Sequence, residues 1–305
     1  MTDNNIIPFQ LDFDVSILAG RVNDSSMEMY KRDLNAYLSY AGSRENALKS
    51  STLARWITYL AKGTDMSPNT INRMISAIKK VMKLAADQGY IKYEVAEAFK
   101  HVDGVKVGAM KDKLKISNRV KIEPETMRLL IDSIDPSTLV GLRNVALFTT
   151  LASSGLRINE LAQLKPEQVI PRGDGYLLHM YAQIGKNQDE DREAHISAEA
   201  VEAIREWLAA RTIASEYIFT SFDGRAHKPL TNHISPQGAW KVVKEITEAQ
   251  GLQNIKPHDF RRFVGTQLAK KDIRSAQLAL GHKRIETTVK YDLREIEVGA
   301  TDNLF

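Results

Sequence analysis

The run HDFRRFVGTQLAKKDIRSAQLALGHKRIETTVKY, residues 258–291, carries two helical periods closed by a glycine, and sets two histidines, an arginine and a tyrosine at fixed offsets. Its apolar spacing predicts helices over residues 258 to 270 and 273 to 280. Arg261 falls one helical turn beyond His258, so both side chains share a face. Gly281 follows the second helix, His282 comes next, and Tyr291 lies nine residues further on. Taken singly these residues have plainer readings: His258 after Pro257 starts a helix, His282 is a cation at a helix C-terminus, and Tyr291 is one of ten tyrosines.

Working outward, the surrounding region from about 123 to 305 reads as mostly helical with a little sheet. Further helices are expected at 124 to 133, 138 to 153, 158 to 165, 198 to 211 and 236 to 249. Tyr176–Tyr181 and Arg192–Ile196 alternate like two short strands, joined by the polar turn GKNQDE at 185–190. The segment SSGLRINELAQL, residues 153–164, puts Arg157 at a helix start after a glycine turn, with Glu160 three residues on; alone this is an ordinary surface helix pair. His179, His195, His101, His227 and His233 sit on strands, helix ends or loops and read as structural.

Residues 21 to 105 form a separate helical lobe. Met27, Tyr30, Leu34, Tyr37 and Leu38 make one stripe, and Leu53, Trp56, Ile57 and Leu60 a second. Ser67-Pro68 opens a third helix that buries Ile71, Met74, Ile75, Ile78, Val81 and Met82 and stops at Gly89; a shorter fourth carries Val95 and Phe99. The fold class expected is therefore mainly α with a small β-sheet, a helical bundle followed by an α+β domain. Arg73, Lys79, Lys80 and Lys83 accompany the third stripe and cannot all be buried, so they serve either as a solvated face or as a grip on DNA.

The 305 residues, 43% hydrophobic and 26% charged, suit two globular domains, and the absence of cysteine excludes a disulfide scaffold, a thiolate metal site and a cysteine nucleophile. No signal-like start and no apolar run of about 18 residues is present, which gives the expectation of a soluble, cytoplasmic protein. The formal net charge is only +4, but its distribution is uneven. Residues 106–122 hold Lys106, Lys111, Lys113, Lys115, Arg119 and Lys121 against Asp112 alone. This reads as a basic interdomain linker suited to tracking phosphates, Lys111, Lys113 and Lys115 foremost; the plainer reading is a solvated lysine-rich connection. Phosphate-cradling glycine loops and zinc-type histidine spacings are not found, so no cofactor or metal is implied.

The ordered set Arg157, Lys186, His258-x-x-Arg261, Gly281-His282 and Tyr291 resembles the tyrosine recombinase (phage integrase) family, in its simple Xer, Cre or transposon-resolvase form. The resemblance covers the second lobe, and the helical lobe with its linker is similar in layout to the family's core-binding (SAM-like) domain. It implies that 21–105 bind DNA, that 123–291 are catalytic, and that the tail 292–305 docks on a neighbouring protomer. Only about twenty residues precede the bundle, too few for the arm-type domain of some integrases.

The resemblance also assigns roles that elementary chemistry supports. A phosphodiester under attack accumulates charge on its nonbridging oxygens, and without metal two guanidiniums suit that task; by resemblance these are Arg157 and Arg261. Tyr291 is the implied nucleophile, whose phenol later leaves tolerably, so the phosphotyrosyl bond stores the energy and ATP is not needed. His258 is the implied base, His282 a donor to phosphate, Glu160 the support of Arg157, and Lys186 the acid that protonates the leaving 5′ oxygen. Two departures are visible. The turn after Lys186 is acidic, with Lys165 the substitute, and Arg262 stands where many relatives have histidine.

The expected function is site-specific recombination on double-stranded DNA through a 3′-phosphotyrosyl intermediate and a Holliday junction. A homotetramer would act on two synapsed sites, with room for accessory proteins and no membrane partner. The alternatives are a type IB topoisomerase or telomere resolvase, told apart by whether a partner duplex receives the cut strand. A noncatalytic DNA-binding protein of the same fold would form no covalent adduct.

Overall fold

Every predicted helix of the first lobe is present in the computed structural model, which describes residues 9–113, 121–181, 191–224 and 227–289. The chain divides into two compact units, one either side of the 114–120 segment. In the first, α1 (Asp24–Ala41) begins where the Asn23 side chain accepts from the Ser26 N–H and ends at Gly42 in left-handed conformation. A short α2 (Arg44–Ala47) leads into α3 (Ser50–Gly63). Ser67 caps α4 (Pro68–Asp87) with proline in its first turn, and α5 (Tyr93–Lys100) follows. Leu34, Tyr37, Trp56, Leu60, Ile71, Ile78, Met82 and Phe99 are buried together. Tyr37 places its ring against Trp56 and Phe99 and donates its hydroxyl to the Ala47 carbonyl.

Residues Val107–Lys113, expected as linker without helical period, form 3-10 turns on this first unit. Met110 packs on the bundle core, and the Lys113 ammonium donates to the carbonyls of Ala61 and Thr64, both at 2.7 Å. A lysine that closes the carbonyl end of α3 turns the first half of the basic stretch into part of the bundle.

The second unit contains α6 (Pro124–Asp132), α7 (Leu139–Ser154), α8 (Ile158–Ala162), β1 (Val169–Arg172), β2 (Gly175–Met180), β3 (Arg192–Ile196) and α9 (Ala198–Ala210). There follow β4 (Thr220–Phe222), β5 (Pro229–His233), α10 (Pro236–Ala249), α11 (Pro257–Ala269), α12 (Ile273–Leu280) and α13 (Ile285–Val289). The strands make two antiparallel sheets, β1-β2-β3 and β4-β5, with Leu178 opposite Ala194 in the first. Helix α7 is apolar nearly all round and runs through the core between α9 and α11, which is why Ala146, Leu147, Phe148 and Leu151 are fully buried. It ends at Gly155 (φ +61°), where a Cβ would meet Leu280 Cδ2 at 3.0 Å and Val264 Cβ at 3.1 Å. The end of α7 thus lies directly against α11 and α12, and only glycine allows both that approach and the left-handed turn. Among the described residues, no helix is long and apolar enough to cross a membrane.

Candidate active site

Arg157 stands at the start of α8, immediately after the tight turn that closes α7. Glu160, 4% exposed, accepts from the Arg157 backbone N–H at 2.8 Å and from its guanidinium at 2.7 Å. The first contact caps the helix and the second fixes the side chain, whose outer half remains exposed. Burial pulls the Glu160 carboxyl upward, but Arg192 and Arg157 outweigh it, so its pKa lies below the ordinary value and it stays ionised.

Arg261, on α11, is 2% exposed. It donates to the Gly155 carbonyl at 2.8 Å and to the Leu280 carbonyl. One guanidinium plane therefore joins the turn before Arg157 to the turn before His282. These partners lie 106 and 19 residues away in the chain, so the arginine closes three segments into one site. His258 precedes it by one turn and is exposed on its outer side. Protein packed behind the ring lowers its pKa, and the charges of Arg262, Arg261 and Arg157 lower it further against a smaller opposing effect of Asp259. Arg262, in the position where histidine was more usual, reaches the Asp259 carboxylate at 3.4 Å.

His282 follows the left-handed Gly281 that terminates α12. Its ring is buried, with Nδ1 2.9 Å from the hydroxyl of the fully buried Thr288. Desolvation, then Arg261, Arg157, His258 and Arg192, push its pKa down to about 4. Both histidines are held neutral near pH 7: one is able to take a proton, the other able to donate a hydrogen bond without carrying charge.

The structure brings together Arg157, Glu160, His258, Arg261 and His282: Arg261 bonds the turns before Arg157 and His282, Glu160 bonds Arg157, and His258 lies one turn before Arg261 on α11. Lys186 and Tyr291 lie outside the described residues. The substitute Lys165 is held by Glu216 at 2.5 Å and sits over the Tyr217 ring. The site contains one participant that sequence reading passed over, Arg192, which shares the Glu160 carboxylate at 2.9 Å. Its signal was present: strand alternation that turns Ala194 and Ile196 inward turns Arg192 inward too, and a buried arginine requires an acceptor.

The expected DNA-binding cations of the first unit have partners within it. Arg73 pairs with the buried Asp33, and Lys79 donates to the carbonyls of Lys100, the last residue of α5, and Val102 just beyond it. Lys80 lies over the Tyr30 ring and Lys83 meets Asp87 at 2.6 Å. Lys115 and the side chain of Lys111 lie outside the described residues. Of the histidines read as structural, His101 meets Glu97, His179 meets Asp191, and His233 bonds the Ile234 carbonyl.

A helical bundle followed by an α+β unit in which arginines and neutral histidines converge is the arrangement of a tyrosine-type site-specific recombinase. Residues 121–295 match the phage integrase family, and residues 17–89 match the phage integrase N-terminal SAM-like domain. The chain belongs to the phage integrase family. It is 27% identical over 287 residues to tyrosine recombinase XerD of Listeria monocytogenes, covering 88% of this chain and 87% of the relative. It is 28% identical to XerD of Oceanobacillus iheyensis, with 88% of each chain covered. Among solved structures, the Tn1549 transposon integrase in complex with transposon right end DNA shares the fold with a TM-score of 0.64 at 16% identity, covering 92% of this chain and 95% of that one. XerH site-specific recombinase bound to a palindromic difH substrate does so with a TM-score of 0.64 at 21% identity, covering 88% and 76%.

Proposed function

We propose that this recombinase cuts each DNA strand by attack of Tyr291 on the scissile phosphate, leaving a 3′-phosphotyrosyl link that a 5′-hydroxyl from the partner duplex later displaces. The observation that carries the reading is Arg261 bonded to the carbonyls of both Gly155 and Leu280, which gathers Arg157, His258 and His282 around one place. In it, Arg157 and Arg261 offset the charge that grows on the nonbridging oxygens. His258, neutral and open to solvent, takes the phenolic proton as the P–O bond to tyrosine forms. His282 donates to a phosphate oxygen; when Thr288 donates to its Nδ1, the ring hydrogen resides on Nε2. Lys186 returns a proton to the departing 5′ oxygen. One phosphoester replaces another at each step, so neither ATP nor metal enters the balance.

Two duplexes exchanging strands in two rounds require four protomers and pass through a Holliday junction, and the tail from residue 292 docks on a neighbouring protomer. In this reading residues 21–105 grip the duplex together with the basic stretch 106–122, whose Val107–Lys113 portion is docked on the bundle. In the first unit the cations differ in availability. An exposed pair such as Lys83–Asp87 contributes little and yields readily to phosphate, whereas Lys79 and Lys113 are occupied with backbone carbonyls.

The test is a nicked suicide substrate incubated with chelator. Wild type should form a covalent protein–DNA adduct, and Tyr291→Phe should bind without forming one. An adduct that persists in Tyr291→Phe overturns the assignment of the nucleophile. Binding with no wild-type adduct supports a noncatalytic DNA-binding protein, and products limited to relaxed circles or hairpin ends support a topoisomerase or telomere resolvase.

A further inference from the structure

Arg192 opens β3 and points into the unit rather than to solvent, with its side chain 11% exposed. One terminal nitrogen donates to the Glu160 carboxylate at 2.9 Å and the other to the Ala279 carbonyl at 3.1 Å. Its Nε is buried and has no hydrogen-bond partner among the described residues. The stem crosses the glycine turn that precedes His282: a Cβ on Gly281 would stand 2.5 Å from Arg192 Cδ and 2.8 Å from Nε. Glycine is needed there twice, for its φ of +62° and for the passage of this side chain.

The arrangement parallels that of Arg261. Arg261 links the Gly155 and Leu280 carbonyls; Arg192 links Glu160 and Ala279, a second bridge between the α8 start and the α12 end. Stability alone is a weak reason for such a residue, because a buried ion pair gains little over apolar packing and a buried donor left unmet is unfavourable. What the bridge supplies is register and charge. Glu160 is shared between two arginines, so Arg157 is oriented without being neutralised. Without Arg192 the same carboxylate would answer Arg157 alone, and the pair would lose its tie to the His282 turn.

We propose that Arg192 is a positioning residue for strand cleavage: through Glu160 and the Ala279 carbonyl it holds the phosphate-facing side of Arg157 in register with the His282 turn. This rests on the reading of Arg157 as a phosphate ligand during attack by Tyr291. It also gives β3, whose first residue lies six positions after Lys186, a direct connection to the site.

Single-turnover cleavage of the suicide substrate, measured beside equilibrium DNA binding, tests the proposal. Arg192→Gln should slow adduct formation by about 100-fold, as expected when a catalytic group is misplaced by around an ångström, while binding changes little. Arg192→Lys keeps the charge but cannot span two acceptors, and should recover only part of the rate. In a Glu160→Gln background, Arg192→Gln should add little further loss, because both changes break one bridge. Melting curves check that the variants fold, and Arg192→Met, which keeps the packing across Gly281, replaces the glutamine variant if that one does not. A wild-type rate in a folded Arg192→Gln or Arg192→Met protein overturns the inference, as does full additivity with Glu160→Gln. Loss of cleavage and binding in proportion to lost folded protein overturns it too. Absence of an adduct in wild type rejects the underlying functional reading, and the inference with it.

Discussion

The two units use the same cationic side chains in opposite ways. In the helical unit several basic residues are answered locally: Arg73 by Asp33, Lys83 by Asp87, Lys79 and Lys113 by carbonyls at helix ends. In the second unit Arg157, Arg192, Arg261 and Arg262 gather with two neutral histidines around only two carboxylates, Glu160 and Asp259, among the described residues. Cations spread singly over a surface cost little and explain themselves through folding. Cations collected together repel one another and lower the pKa of every imidazole nearby, a penalty that an incoming phosphodiester removes. Excess positive charge in one place therefore points to the function more sharply than the total charge of the chain.

The largest effects should separate the units cleanly. Arg157→Ala should cut suicide-substrate cleavage by about 100- to 1,000-fold, the range for removal of one transition-state donor, at near-wild-type binding. If binding falls as far as cleavage, the gathered cations serve affinity rather than the chemical step. In the helical unit the counterpart is Trp56→Ala, which empties the core beside Tyr37 and should cost about 3–5 kcal/mol by denaturant unfolding, without a specific effect on the chemistry of the folded fraction.

The next contrast is in pH. His282 has a folded pKa of about 4, below the ordinary 6.5 of an unfolded histidine. Between those values the unfolded chain binds the extra proton, so stability should fall as pH drops through that window and be fully present above it. Melting temperatures should show His282→Asn losing less than wild type over the same range. Equal slopes would mean that the ring is not held neutral by its surroundings. The depressed pKa of His258 has a kinetic counterpart, with cleavage persisting somewhat below the pH at which an ordinary histidine base is protonated.

The smallest effects sharpen the picture of the first unit. Lys113→Ala should lower stability by about 1 kcal/mol through loss of its carbonyl contacts, and leave the salt dependence of DNA binding nearly unchanged. Lys83→Ala should do the reverse, with little change in melting and a salt slope reduced by about one. Exchange of these two outcomes would show that Lys113 leaves its carbonyls to meet phosphate.

The helices were legible because their signals are local. Ser67-Pro68 marks a start, Gly89 and Gly281 mark ends, and apolar residues at three- and four-residue spacing predict the buried faces of α1, α3 and α4. The sheet was half legible: β2 and β3 alternate visibly, whereas β1 and the β4–β5 pair are short, contain Pro171 or Pro229, and depend on partners that the spacing does not reveal. The 3-10 turns over Val107–Lys113 were missed because glycine and lysine obscure a fold that comes from docking of Met110 and Lys113. In the site, motif order brought out Arg157, His258, Arg261 and His282. Arg192 escaped because its meaning lies in an acceptor 32 residues away in the chain.

Thr288, wholly enclosed and bonded to the His282 ring, stands three positions ahead of Tyr291 along the chain. Seating of the short helix α13, which precedes the proposed nucleophile in the chain, is thereby coupled to the imidazole's proton position. A nitrogen resonance from that single ring would report how α13 is seated, readable before any nucleic acid is added.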